Sequence, residues 1–328
     1  MNILRNEFKH GRNIVPSEYY TAKQYVREII SRSGISARTS PLKISGLPSL
    51  TLIDDTRNAV GAFKVRGGLS AVGNLLKSDP NIRHVCAASS GSFGMAIAYA
   101  ASHFGLSSTI YTPYTTPQYK IDKIANLSGA VIRHGDSYES AKAEAIRISN
   151  LNPDYHFIDG VSWEVFAGNS TLADEICILL SKYKFGGRIA VIAPLGIGSL
   201  IVPLHLTFKE NCIKADIISV EPVNFFKFGA KHGLLTPTFS DTIAGGAAVR
   251  EFPNFSQAMV YDAVDYYSSV EEDEIIETMR YLNSIANIQV EGAGALSVAV
   301  VKENIHFFSQ YDHVLCILSG SNIGAEFR

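Results

Sequence analysis

Asp54-Asp-Thr-Arg-Asn-Ala-Val-Gly-Ala-Phe-Lys-Val-Arg-Gly-Gly-Leu69 is the stretch from which the rest of the 328-residue chain is read. It delivers one lysine, Lys64, into apolar and glycine-rich surroundings. Phe63 and Val65 flank it, Gly61 precedes it, and Gly67 and Gly68 follow. Glycines at these places let the chain pack closely against another backbone or a flat ligand. An amine held in such a pocket is desolvated, which disfavours its ammonium form, and a neutral amine condenses with an aldehyde. Lys64 is therefore a candidate for Schiff-base chemistry, beside the plainer reading that a lysine near a helix start is a solvated surface residue.

Working outward, Leu50 to Ile53 reads as a short strand leading into this segment, and Tyr20 to Ile30 as a helix stopped by Gly34. Downstream, apolar strands at His84 to Ala88, Ser108 to Tyr111 and Ala130 to His134 alternate with helical spacing at Phe93 to Phe104, Pro117 to Leu127 and Tyr138 to Ile148. Further strands fall at Ile189 to Ala193, Asp216 to Val220, Val264 to Tyr267 and Val314 to Leu318, with helices near Thr171 to Leu180, Leu200 to Phe208 and Asp273 to Ile285. Such alternation argues for an α/β fold of βαβ units, with parallel strands covered by helices. No composition shift marks a boundary, so periodicity alone leaves one domain or two.

Composition narrows the function classes. Twenty-nine Lys and Arg against 31 Asp and Glu give a net charge of 29 − 31 = −2, which makes no electrostatic case for nucleic acid or an anionic membrane. Cys86, Cys177, Cys212 and Cys316 are widely separated beside apolar runs and read as buried core thiols in a reducing cytoplasm. No Cys or His spacing suggests a metal, and His103, His134, His156, His205, His232, His306 and His313 are scattered. The N-terminus is too polar for a signal peptide, and no apolar run reaches the roughly 18 residues of a membrane span.

Three turns carry further chemistry. Ala88-Ser89-Ser90-Gly91-Ser92-Phe93-Gly94 lies between a strand and a helix, where amides at a helix start attract anions such as a carboxylate; a serine and glycine loop that caps a helix is the alternative. Ala193-Pro194-Leu195-Gly196-Ile197-Gly198-Ser199-Leu200 also ends a strand and opens a helix, an arrangement suited to phosphate or to a plain turn. It is not a P-loop, since no Gly-Lys-Ser/Thr follows. Leu318-Ser319-Gly320-Ser321-Asn322 takes the last apolar strand out through a glycine turn.

Gly61-Ala62-Phe63-Lys64-Val65-Arg66-Gly67 resembles, without a gap, the lysine motif of the threonine dehydratase and serine racemase family, fold-type-II enzymes that use pyridoxal 5'-phosphate (PLP) within the tryptophan synthase beta-like superfamily. Arg38-Thr39-Ser40-Pro41-Leu42 is similar to the family's Arg-Thr-Pro-Leu with a serine inserted, and the resemblance runs from about Arg38 to Asn322. It implies two parallel-sheet, three-layer α/β domains with the smaller, residues 84–155, inserted in the larger, residues 1–83 and 156–328, and the active site in the cleft between them. It also implies a cytoplasmic homodimer. Lys64 would hold PLP and Ser90 would act as a proton donor. Ser89, Ser90, Gly91, Ser92 and Phe93 would receive the substrate carboxylate. Gly196, Ile197, Gly198, Ser199 and Leu200 would receive the phosphate. Phe63, Ser92, Gly245, Glu291, Ser319 and Gly320 would line the cofactor, with Ser319 facing the pyridine nitrogen, as a partner that favours elimination or proton transfer over transamination.

The chain departs from the family at Ser92, where Asn is usual, at Phe93, where His or Thr is usual, and at Ile197 and Ser199, which replace two of four glycines. A serine hydroxyl is shorter than an Asn amide and offers one donor, and Phe93 offers none. The activity implied is β-elimination from a small amino acid such as L-threonine or L-serine, giving a 2-oxo acid and ammonia. No effector domain is expected after Asn322, hence no allosteric biosynthetic form. β-Replacement of the cysteine-synthase kind and diaminopropionate ammonia-lyase activity remain alternatives, as does a non-catalytic protein that binds PLP or an amino acid.

Overall fold

The computed structural model describes residues 3–7, 15–183, 186–227, 237–250 and 254–324. The chain opens with β1 (Leu4–Arg5) and α1 (Ser17–Ser33), and the antiparallel pair β2 (Arg38–Pro41) and β3 (Leu50–Asp54) leads into α2 (Lys64–Ser78). Next come β4 (His84–Ala88), α3 (Ser92–His103), β5 (Ser107–Thr112), α4 (Gln118–Asn126), β6 (Ala130–Arg133), α5 (Tyr138–Leu151) and β7 (Tyr155–Phe157). After α6 (Trp163–Lys182) follow β8 (Ile189–Pro194), α7 (Ile201–Glu210), β9 (Asp216–Pro222), α8 (Asn254–Ala263) and β10 (Tyr266–Val270). The chain closes with α9 (Glu272–Ala286), α10 (Gly292–Glu303), the short α11 (Ile305–Phe308) and β11 (His313–Leu318).

These elements form two compact units. The first comprises Met1–Val15, Ser36–Arg57 and Leu172–Arg328, and the second Pro16–Ile35 and Asn58–Thr171. The second unit thus takes in the whole of the expected insert, 84–155, together with α1, α2 and the first part of α6.

The first unit carries a seven-stranded sheet in the order β1-β10-β9-β8-β11-β3-β2. Its five inner strands are parallel, as the alternation predicts, and every residue of β8 is buried, which is why that strand reads as an unbroken apolar run. The two edges differ from the expectation: β1 pairs antiparallel with β10, and β2 pairs antiparallel with β3, where eight intervening residues permit a hairpin and leave no room for a crossover helix. The core lies between the sheet and α9 and α10, where Leu52, Ile192, Cys316, Leu282, Leu296 and Val300 meet.

The second unit carries a parallel four-stranded sheet in the order β6-β5-β4-β7. Strand order reverses in each sheet at one place. The chain leaves β4 for β5 on one side while β7 adds on the other, and it leaves β8 for β9 while β11 adds on the other. Ligands in open α/β sheets bind beyond the carboxyl ends of the strands at such reversals. The loops there are Ser89–Gly91 and Leu195–Leu200, two of the turns that stand out in the sequence.

Several elements depart from their sequence readings. α6 starts at Trp163 rather than Thr171, because the Ser162 hydroxyl accepts from the Val165 amide at 3.3 Å and opens the helix ahead of the Gly168-Asn-Ser interruption. β10 runs from Tyr266, two residues later than read, since Asp265 is held at the strand start by Ile217, whose N–H donates to Asp265 Oδ2 at 2.9 Å. β7, α8 and α10 were not expected from periodicity. Cys86, Cys177 and Cys316 are buried, but Cys212 is exposed: it sits in the left-handed turn that ends α7, with φ of 54°. Among the described residues no helix is long and apolar enough to cross a membrane. His232 lies outside the described residues.

Candidate active site

In the second unit the chain reaches α2 through a turn organised by Asn58, whose Oδ1 accepts from the Val60 amide at 3.0 Å and whose Nδ2 donates to the Ala62 carbonyl at 3.2 Å. Lys64 is the first residue of α2 and is half-buried. Its Nζ lies 4.6 Å from the centroid of the buried Phe63 ring. Two residues on, Arg66 is fully buried and its Nη1 donates to Thr171 Oγ1 at 2.9 Å, tying α2 to α6. Glycines make the helix crossings close: a methyl group on Gly68 would lie 2.7 Å from the Ala96 carbonyl oxygen of α3. The amine of Lys64 thus sits on a helix fixed from two sides.

The same unit holds Ser89 to Phe93. The Ser89 amide extends the β4–β5 ladder to the Tyr111 carbonyl at 3.0 Å, and the Ser89 hydroxyl receives the Gly91 amide at 3.1 Å. Ser89 is therefore occupied with shaping the loop, while Ser90 is exposed and a methyl group on Gly91 would meet no atom within 4 Å. Beyond them Ser92 opens α3, and its first turn brings the positive end of the helix dipole to this space. Phe93 does not stand in the open. Its ring rests on Gly160, where a methyl group would come within 3.2 Å of Phe93 Cε1. Gly160 was not singled out from the sequence; the signal was the Asp159-Gly160 pair ahead of a helix, with Asp159 Oδ1 turning the chain through the Val161 amide at 3.1 Å.

In the first unit four turns converge at the carboxyl ends of the strands. Leu195 to Leu200 follows β8: the Leu195 amide donates to the Val220 carbonyl at 3.0 Å, and the Gly198 amide closes the turn on the Leu195 carbonyl at 2.8 Å. Gly196 and Gly198 adopt φ of 52° and 83°, and Ile197 between them keeps a negative φ, half-buried. Alternation of this kind turns successive amides toward a common side, as in anion-binding nests. Ser199 and Leu200 are buried at the mouth of α7.

The turn at Ala244 to Ala247 stands beside it, with the Gly246 carbonyl oxygen 3.6 Å from where Gly196 would carry a methyl group. Gly245 is exposed and faces open space. Glu291 precedes α10; its amide donates to the Gly320 carbonyl at 3.0 Å, its Oε2 accepts from the Asn322 amide at 3.1 Å, and its Oε1 would lie 3.0 Å from a methyl group on Gly246. A methyl group on Gly320 would overlap the same carboxylate. Ser319 is buried, and its hydroxyl donates to the Ala293 carbonyl at 3.4 Å. Gly196, Gly246, Glu291 and Gly320 are thus in one neighbourhood, and in the second unit α2, which opens at Lys64, packs at Gly68 against Ala96 of α3, which opens at Ser92.

Thiol chemistry is disfavoured at Cys86 and Cys316. Burial pushes the Cys86 thiol up to about 11 and Cys316 higher still, so neither supplies a thiolate. His84 is held toward its neutral form by burial, stacked 3.9 Å from Tyr155 with Nε2 2.9 Å from Thr109 Oγ1, as a structural residue would be.

A family model described as pyridoxal-phosphate dependent enzyme matches residues 37–320. The chain is 27% identical over 305 residues to an L-threonine ammonia-lyase of Thermotoga maritima, covering 92% of this chain and 74% of that protein. It is 29% identical over 273 residues to a biosynthetic L-threonine dehydratase of Staphylococcus epidermidis, covering 80% of this chain and 63% of that protein, so it spans less than two thirds of the latter's length. Among solved structures, a pyridoxal 5'-phosphate-dependent aspartate racemase shares its fold, with a TM-score of 0.82 at 24% identity over 94% of this chain and 96% of that one.

Proposed function

The chain belongs to the pyridoxal-phosphate-dependent enzymes, and on that premise we propose that it is an ammonia-lyase converting L-threonine or L-serine to a 2-oxo acid and ammonia. The observation that carries the reading is Lys64: a half-buried amine against the Phe63 ring, at the first position of a helix packed by glycine against its neighbour. The names of the two curated relatives support the substrate class.

The residues fit PLP. Lys64 sets an amine against the Phe63 ring to meet its aldehyde, a turn of alternating φ at a strand-order reversal suits its phosphate, and the space beside Gly245 is open. Bound PLP supplies an electron sink for the pair left when the Cα–H bond of an amino acid breaks. Lys64 would hold the cofactor, and its Nζ, as a neutral amine, would take the α-proton. The loop at Ser89–Phe93 and the α3 start bind the substrate carboxylate, and the exposed Ser90 hydroxyl moves a proton at the face it borders. The Gly196–Leu200 turn would hold the phosphate through its amides, and Phe63, Ser92, Gly245, Glu291, Ser319 and Gly320 would line the ring. The β-hydroxyl would leave as water, with a proton that replaces the one Lys64 takes from Cα, and a water would then hydrolyse the released enamine, through its imine tautomer, to the 2-oxo acid and ammonia. In the same reading the protein is a cytoplasmic homodimer, with residues 84–155 as the smaller domain and 1–83 and 156–328 as the larger.

Purified protein loaded with PLP and given a panel of amino acids tests the reading: serine or threonine should shift the cofactor absorbance and release stoichiometric 2-oxo acid and ammonia. A spectral shift with no 2-oxo acid from either would reject the lyase. The phosphate seat has its own test. Ser199→Asp, which sets a like charge in the turn, should weaken PLP binding at least tenfold, about 1.4 kcal/mol. Ser199→Asn, of the same size without the charge, should bind within about threefold of wild type, roughly 0.6 kcal/mol. Equal affinities for the two variants would remove the phosphate from this turn.

A further inference from the structure

The carboxyl end of β9 carries a charge pair that the candidate site does not use. Glu221, next to last in the strand, has a side chain 1% exposed, and that of Lys227 is 8% exposed. The Lys227 ammonium meets Glu221 Oε1 and donates to the Val249 carbonyl at 2.9 Å, while the Lys227 amide donates to Glu221 Oε2 at 3.1 Å. One residue therefore satisfies both carboxylate oxygens and reaches a third group 22 residues away.

Dehydrating two charges costs several kcal/mol per ion, and well-packed apolar residues of similar volume often stabilise a fold as well. Stability alone is thus a poor account of the pair. What apolar residues would not do is grip the Val249 carbonyl. Val249 belongs to the turn in which the Ala247 amide bonds the Ala244 carbonyl at 2.8 Å and the Val249 amide bonds the Ala247 carbonyl at 3.0 Å. That turn sets Gly246 against Gly196 and the Glu291 carboxylate. Asn224 reinforces the link, with Nδ2 donating to the Asp241 carbonyl at 3.2 Å and its own carbonyl receiving the Phe239 amide at 3.0 Å. One residue before Glu221, the Val220 carbonyl holds the Leu195 amide and so the neighbouring turn. The end of β9 anchors both.

We propose that Lys227 is a positioning residue whose buried ammonium clamps the 244–249 turn to the end of β9 and so fixes Gly245 and Gly246 relative to Gly196 and Glu291; its consequence for the cofactor rests on the function proposed above. Lys227→Met removes the ammonium at similar length, and Lys227→Met combined with Glu221→Gln also removes the stranded carboxylate, which lets the fold recover if the single variant unfolds. In cofactor-free protein, amides of 244–249 should exchange with deuterium at least tenfold faster in the double variant, while those of β8 and β11 stay as in wild type. PLP titration of the same samples should show affinity at least tenfold weaker, although the unfolding midpoint of the double variant returns toward wild type. Unchanged exchange in 244–249 would overturn the clamp. Faster exchange with intact PLP affinity would overturn its bearing on the cofactor. A wild type that binds no PLP would overturn the proposed function instead, and the exchange comparison would still decide the clamp.

Discussion

Lys64→Ala is expected to cut turnover of serine or threonine by at least about a thousandfold, since a positioned proton-transfer group alone contributes roughly 10²–10⁴-fold and this residue also seats the cofactor. Folding should hardly notice. Lys64 is half-buried at the first position of α2, with no side-chain cap to lose, and alanine is the best helix former. Wild type and variant should therefore share circular dichroism and urea midpoint while differing in the absorbance of bound PLP. Borohydride reduction of wild type should leave a pyridoxyl group on the peptide carrying Lys64. A label on any other lysine, or a variant that keeps more than a tenth of the activity, would remove Lys64 from its role.

The second large effect is on stability. Where α6 crosses α2, a methyl group on Gly168 would overlap the Arg66 carbonyl oxygen and lie 2.7 Å from both the Arg66 carbonyl carbon and Gly67 Cα. These are backbone atoms, which cannot rotate aside, so Gly168→Ala must part the helices. Overpacking costs about 1–3 kcal/mol, and this site should reach the upper end, because parting the helices also pulls Arg66 away from Thr171. The urea midpoint should fall with little change in slope. Gly91→Ala is the control: its φ is −156° and its methyl group meets nothing within 4 Å, so it should stay within about 0.5 kcal/mol of wild type. Equal midpoints for the two variants would mean that α2 and α6 do not cross this closely.

Much of this architecture is legible in the sequence where burial is two-sided. β8 over its length and β11 from Val314 onward are apolar because both faces are covered, and the Ser89 and Gly196 turns announce themselves through small residues between a strand end and a helix start. The lysine motif is legible for the same reason, with Gly67 and Gly68 set where neighbouring helices touch. α10 is not. Every residue from Gly292 to Val301 is buried, so it has no polar face to create a period of 3.6, and its opening glycines read as a loop. Gly160 is silent because its role is to leave room for a ring 67 positions away in sequence. Lys227 is silent for another reason: lysines are exposed by default, and only Glu221 ending an apolar strand hints that a cation is needed.

The two antiparallel edge strands bear on how the protein keeps to itself. An inner strand of a parallel sheet left bare offers a row of unpaired amides and carbonyls, a template for strands of other molecules. Here β10, with four of its five residues buried, is covered by only two residues of β1, held in place by Asn6, whose Nδ2 donates to the Tyr261 carbonyl at 2.6 Å and the Val264 carbonyl at 2.7 Å. At the other edge β2 ends in Pro41, which has no amide to offer, and begins with the exposed Arg38. The short strap at Leu4–Asn6 is thus a guard against aggregation: a chain stripped of it should offer the backbone of Tyr266 and Tyr267 to strands of its neighbours, edge to edge.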